Sequence, residues 1–142
     1  MKVKELMIGD WVMPLKKKLK GIPGKVITID GGTDVCWIDS KDYSCLVPCS
    51  DVERIPLTPE ILEKNGFENV SVIIVGTAKM RWVSEDTRTE ITIWMDDTLP
   101  MEIVKNVYYE DEVSYTLPFP GTVHQLQHAL RLCEIDKEII VC

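Results

Sequence analysis

No long apolar run occurs in this sequence. The longest, Val70 to Val75, is broken by Ser71, far short of the roughly 20 residues a helix needs to cross a bilayer, so no membrane association is expected. No secretory leader is expected either. The basic start, Met1-Lys-Val-Lys, is not followed by the apolar stretch of about 7–15 residues that a secretory signal carries, and a cytoplasmic location is expected. There is no phosphate-binding loop, because Gly31-Gly32 is followed by neither a helix nor a Lys-Ser/Thr pair. No serine sits in a Gly-x-Ser-x-Gly elbow. These absences remove the P-loop nucleotide binders and the α/β-hydrolases, and no cofactor is expected.

Histidine is scarce too, with only His124 and His128. Cysteine is present but unorganised. Cys36, Cys45, Cys49, Cys133 and Cys142 form an odd set, and Cys45-Leu-Val-Pro-Cys49 has three residues between its thiols rather than the two of redox motifs. In a reducing compartment these are thiols, some packed as small apolar groups.

What is present describes a globular protein. The 142 residues are 45% hydrophobic and 27% charged, too apolar for disorder and of a size for one domain or two small ones. The net charge is −7 and unevenly spread. Residues 1–25 hold seven lysines and two acids, whereas the remainder holds nine basic and 21 acidic side chains. An acidic surface repels nucleic acid and anionic lipid, so only the lysine-rich start is able to attract them.

The patterning predicts an α+β chain in two portions. Residues 1–57 read as about five short strands: a Gly9-Asp10 turn into Trp11-Val12-Met13, a loop from Pro14 to Pro23 with four lysines, an alternating Gly24–Asp30 strand, a tight Gly31-Gly32 hairpin turn, a return over Thr33–Asp39, then Tyr43–Val47 and Val52–Ile55. This order resembles an SH3-like small barrel. Residues 58–142 read as the α+β portion. A helix is expected at about 59–65, capped by Thr58, begun by Pro59 and stopped by Gly66, with Leu57 and Leu62 as a staple. A β meander follows at about 70–117, with strands at Val70–Val75, Ala78–Val83, Thr89–Met95 and Val113–Leu117. A second helix is expected at about 123–133, where Thr122 and Gln125 have capping-box spacing, and a terminal strand at about 137–141.

Three stretches also resemble a family. They are Lys4-Glu5-Leu6-Met7-Ile8-Gly9-Asp10-Trp11-Val12, Ile55-Pro56-Leu57-Thr58-Pro59-Glu60-Ile61-Leu62-Glu63-Lys64-Asn65-Gly66-Phe67, and Val123-His124-Gln125-Leu126-Gln127-His128-Ala129-Leu130. Their order is similar to that of an uncharacterised family of small proteins from Bacteroides-type gut bacteria, their phages and integrated elements. The resemblance implies a bacterial, intracellular, mobile-element setting. It carries no activity and no site residue.

Four constellations are candidates for chemistry. His124 and His128, four apart on a helix, share a face as zinc ligands do, and Cys45 and Cys49 would complete a structural set. Gln125 stands where a zinc peptidase has its glutamate base, which disfavours hydrolysis. A cysteine paired with either histidine would be a nucleophile if its pKa were lowered. Lys16, Lys17, Lys18 and Lys20, with Trp11 and Trp37, have the composition of a single-strand nucleic-acid site, in which aromatics stack bases beside cations. Asp96-Asp97 and Glu110-Asp111-Glu112 lack the ligand order of a calcium loop. Finally, Trp82, Trp94, Tyr108, Tyr109 and Tyr115 would make a protein-contact patch if they stood on an outer sheet face, and an exposed terminal strand would pair across a homodimer. The leading expectation is a non-enzymatic adaptor with a protein partner, with nucleic-acid binding through the lysine loop next and a Cys/His-centred enzyme third.

Overall fold

Alternating apolar positions build the first half of the chain into a sheet. The computed structural model describes residues 6–16, 18–19, 21–70, 77–84, 89–96, 101–107, 112–117 and 121–141. It divides into two units, Met1–Ile55 with Val141–Cys142, and Pro56–Ile140. Among the described residues the mixture of strands with two helices makes the chain α+β.

The first unit holds strands β1 (Trp11–Pro14), β2 (Gly24–Asp30), β3 (Val35–Asp39), β4 (Ser44–Pro48) and β5 (Val52–Arg54). They form one antiparallel sheet in the order β4-β3-β2-β1-β5. Every second side chain turns inward, and Val12, Val26, Cys36, Ile38, Val47 and Val52 share a core with Leu6 and Cys49. A single 3₁₀ turn, Cys49–Asp51, links β4 to β5. Among the described residues β4 and β5 do not pair, so the expected barrel is an open sheet. The three residues of β5 are all spent on β1.

Two local devices fix the turns. Asp10 is fully buried, and its carboxylate accepts the Met7 N–H at 2.7 Å, which anchors the turn that leads into β1. The hairpin joining β2 to β3 is longer than expected. Asp30 pairs with Val35, leaving a four-residue loop, and the left-handed residue in it is Asp34 at φ 54. The Asp30 carboxylate accepts the Gly32 and Thr33 N–H groups, an Asx-type closure that replaces the predicted two-glycine turn.

The second unit holds helix α1 (Pro59–Lys64), strands β6 (Glu68–Asn69), β7 (Thr77–Ser84), β8 (Thr89–Asp96), β9 (Met101–Val107) and β10 (Val113–Leu117), and helix α2 (Val123–Leu132). The antiparallel sheet runs β10-β9-β8-β7-β6. Helix α1 packs on β6 and β7, and α2 on β10. Its start is capped by Thr58, which accepts the Ile61 N–H at 3.3 Å. Its end is a Schellman stop: Gly66 is at φ 84, and the Gly66 and Phe67 N–H groups donate to the Glu63 and Leu62 carbonyls. For α2, Gln125 reaches back to accept the Thr122 N–H at 3.1 Å.

Strand β9 lies where the sequence pattern indicates no strand, and the expected strand over 70–75 lies outside the described residues except for Val70. The expected terminal strand at 137–141 does not form. Side-chain amides replace a neighbouring strand there. Gln127 Nε2 donates to the Lys137 carbonyl and its Oε1 accepts the Ile139 N–H. Asn65 Nδ2 donates to the Ile140 carbonyl and its Oδ1 accepts the Ile140 N–H. The segment is thus held by α1 and α2 and seals the core with Ile139, which is fully buried.

Candidate interaction surface

A bulge gives the first sheet an apolar outer face. The register of β2 against β3 slips between Val26 and Thr28, so Ile27 and Thr28 together oppose Trp37 and both are exposed. Trp37 in turn pairs with Leu46 on β4. Ile27, Trp37 and Leu46 therefore form one row across three strands, exposed by 43%, 41% and 51%. The Trp37 indole is held in place, since its N–H donates to Ser44 Oγ at 2.6 Å. Lys16, which follows β1, brings its ammonium to 3.5 Å from the Leu46 carbonyl. A cation thus stands at the end of the row.

The candidates of the lysine loop are only partly gathered here. Lys16 and Lys18 are exposed, whereas Lys17 and Lys20 lie outside the described residues. Trp37 joins Lys16 through Leu46. Trp11 does not present its polar edge, because its indole nitrogen is buried with no hydrogen-bond partner.

The aromatics of the second unit divide between the two sides of its sheet. Trp94 is 40% exposed, with the Lys79 ammonium 4.8 Å from its ring centre. Trp82 sits against Phe67 at 6.4 Å, beneath the Lys137 ammonium at 4.9 Å. Burial lowers the Lys137 pKa. Tyr115 is half-buried, and Tyr108 and Tyr109 lie outside the described residues. The exposed part of the predicted patch is Trp94.

The histidines and most of the cysteines lie within or against packed side chains. His124 is buried with Nδ1 2.9 Å from Thr122 Oγ1, and its ring meets His128 edge-on at 5.6 Å. Both histidines belong to the second unit, while Cys45 and Cys49 belong to the first. Among the described residues no group of three or more His, Cys, Asp or Glu is placed to hold a metal ion. Asp97, Glu110 and Asp111 lie outside them. Burial, with the neighbouring Cys49, pushes the Cys36 thiol up to about 12. Burial likewise raises Cys133, against a smaller opposing effect of Lys105. A nucleophilic cysteine requires the opposite shift.

Asn65, Gln127 and Lys105 are the polar residues that sequence reasoning passed over. Asn65 was visible only as part of a helix stop, and Gln127 only as a residue between histidines. Comparison with protein-family models, curated proteins and solved structures gave no match.

Proposed function

We propose that this protein is a non-enzymatic interaction module, an adaptor that holds a protein partner on the Ile27–Trp37–Leu46 row. The observation that carries the reading is the row itself, in which three large apolar side chains are aligned by a bulge and fixed by an indole hydrogen bond. Such rigid aromatic anchors supply most of the energy of protein contacts. An SH3-like first unit is part of the proposal. The strand order β4-β3-β2-β1-β5 and the 3₁₀ turn before β5 support it. So do the Leu15 N–H to Asp51 bond and the reach of Lys16 to Leu46, which draw the end of β1 towards the start and the close of the β4–β5 stretch. The mobile-element setting and cytoplasmic location rest on the resemblance of the three sequence stretches. A homodimer is the form of this reading in which the partner is a second copy.

Affinity capture from the native host, run with the parent and with Trp37→Ala, tests the proposal. A partner recovered with the parent should bind Trp37→Ala at least about 30-fold more weakly, a loss of ~2 kcal/mol. Equal recovery by both proteins contradicts it. Lys16 beside Trp37 favours a second reading, single-stranded nucleic acid stacked on the indole. That reading requires a fluorescent oligonucleotide to bind at low salt, with affinity falling steeply as salt rises and lost in Lys16→Glu/Lys18→Glu.

A further inference from the structure

We propose that Cys36 and Cys49 close into a disulfide on two-electron oxidation, with Cys45 as the thiol that meets the oxidant. Register carries the argument. Cys36 on β3 stands opposite Val47 on β4. The residues two before and two after Val47 are Cys45 and Cys49, the two diagonal neighbours of Cys36 on the same inward face. Cys36 and Cys49 are each 1% exposed in one core cluster, and Cys45 packs against that cluster while remaining half-buried. The Cys49 N–H donates to the Asp34 carbonyl at 2.8 Å, which pins the backbone of Cys49 at the start of β3. Both Cys49 and Cys45 act on the Cys36 thiol, Cys49 the more strongly. The high pKa of Cys36 makes it a poor first nucleophile, so the oxidant is met by the more accessible thiol.

The steps balance with a peroxide. Cys45 Sγ takes one oxygen from hydrogen peroxide to give a sulfenic acid, releasing one water. Cys36 Sγ then displaces that hydroxyl, which leaves with the Cys36 proton as a second water, and a Cys36–Cys45 bond forms. Cys49 Sγ attacks Cys36 Sγ, and Cys45 departs as a thiol with the Cys49 proton. Two thiols are oxidised and one peroxide is reduced. The bond ties β3 to the turn after β4, behind the face that bears Trp37 and Leu46. It stands whether or not that face binds a partner.

The test treats the full chain with hydrogen peroxide, quenches it with an alkylating reagent, and reads intact mass and a non-reducing peptide map. The expected product has lost two hydrogens and carries a Cys36–Cys49 link. Cys45→Ser, or prior alkylation of Cys45 in the parent protein, should slow closure by at least ~10-fold. Cys133→Ser should leave the rate unchanged. The proposal is overturned if no Cys36–Cys49 link forms, if the link runs through Cys133 or Cys142, or if closure is as fast without the Cys45 thiol.

Discussion

Asp10 illustrates how single polar residues hold this molecule. Its carboxylate is fully buried, and losing it would strand the Met7 N–H. Asp10→Ala should lower stability by about 1–3 kcal/mol, read as a drop in the urea midpoint at unchanged slope. Asn65 is a similar case in the second unit, where one side chain satisfies both backbone groups of Ile140. Asn65→Ala should cost about 2–3 kcal/mol and speed amide exchange at Ile140, whereas a surface substitution such as Glu63→Ala should change neither. Cys36 sets a pH limit. Its thiol keeps its proton up to about pH 12 when folded, against an ordinary value of 9.0. Between those values the unfolded chain loses a proton that the folded chain retains, so stability is intact below about pH 9 and falls as pH rises towards 12. The slope is at most ~1.4 kcal/mol per pH unit. Denaturation of the parent and Cys36→Ala at pH 8 and pH 10.5 should show a steeper alkaline loss in the parent.

Elements whose signals are local were legible in the sequence. Helix α1 begins and ends where Thr58, Pro59 and Gly66 place it, because caps act on neighbouring backbone groups. Strand β10 has the predicted bounds. Strand β9 escaped notice because Lys105 stands at an inward position of its alternation. The register makes Lys105 an inward neighbour of Ile103, and its ammonium is satisfied by the Cys133 carbonyl at 2.7 Å. The terminal segment misled for a related reason. Its apolar alternation is real, but Asn65 and Gln127 supply the hydrogen bonds a strand would take from a sheet, and those partners are distant in sequence. Helix α2 shows a correctable fault. It ends in the same Schellman pattern as α1, yet its left-handed position is Glu134 at φ 58. A side chain there is strained where glycine is not. Relief of the left-handed cost of about 1–2 kcal/mol outweighs the entropy of roughly 0.5–1 kcal/mol that glycine adds to the unfolded chain, so Glu134→Gly should raise the melting temperature. Failure to stabilise would mean that Glu134 has a compensating contact.

Taken as a whole, the chain uses its most conspicuous sequence features for support. The Gly9-Asp10 turn, the capped α1 segment and the His-Gln-Leu-Gln-His stretch, which carry the family resemblance, are each accounted for by turns, caps and clasps. The candidate site was half legible: Lys16 and Trp37 were named, but Ile27 and Leu46 were not. Alternation alone does not reveal a bulge, and the bulge is what aligns Ile27 with Trp37. Charge also separates at this scale. Residues 1–55 carry nine basic and eight acidic side chains, and residues 56–142 carry seven basic and 15 acidic. A polyanion is therefore repelled less by the first unit than by the second. The most direct measurement of the central claim places a photo-crosslinking amino acid at position 46, and separately at position 94, and irradiates the native host. The account predicts an adduct with one protein, or with a second copy of the chain, from position 46, abolished by Trp37→Ala and absent from position 94. Adducts to nucleic acid, or a protein adduct indifferent to Trp37→Ala, would contradict it.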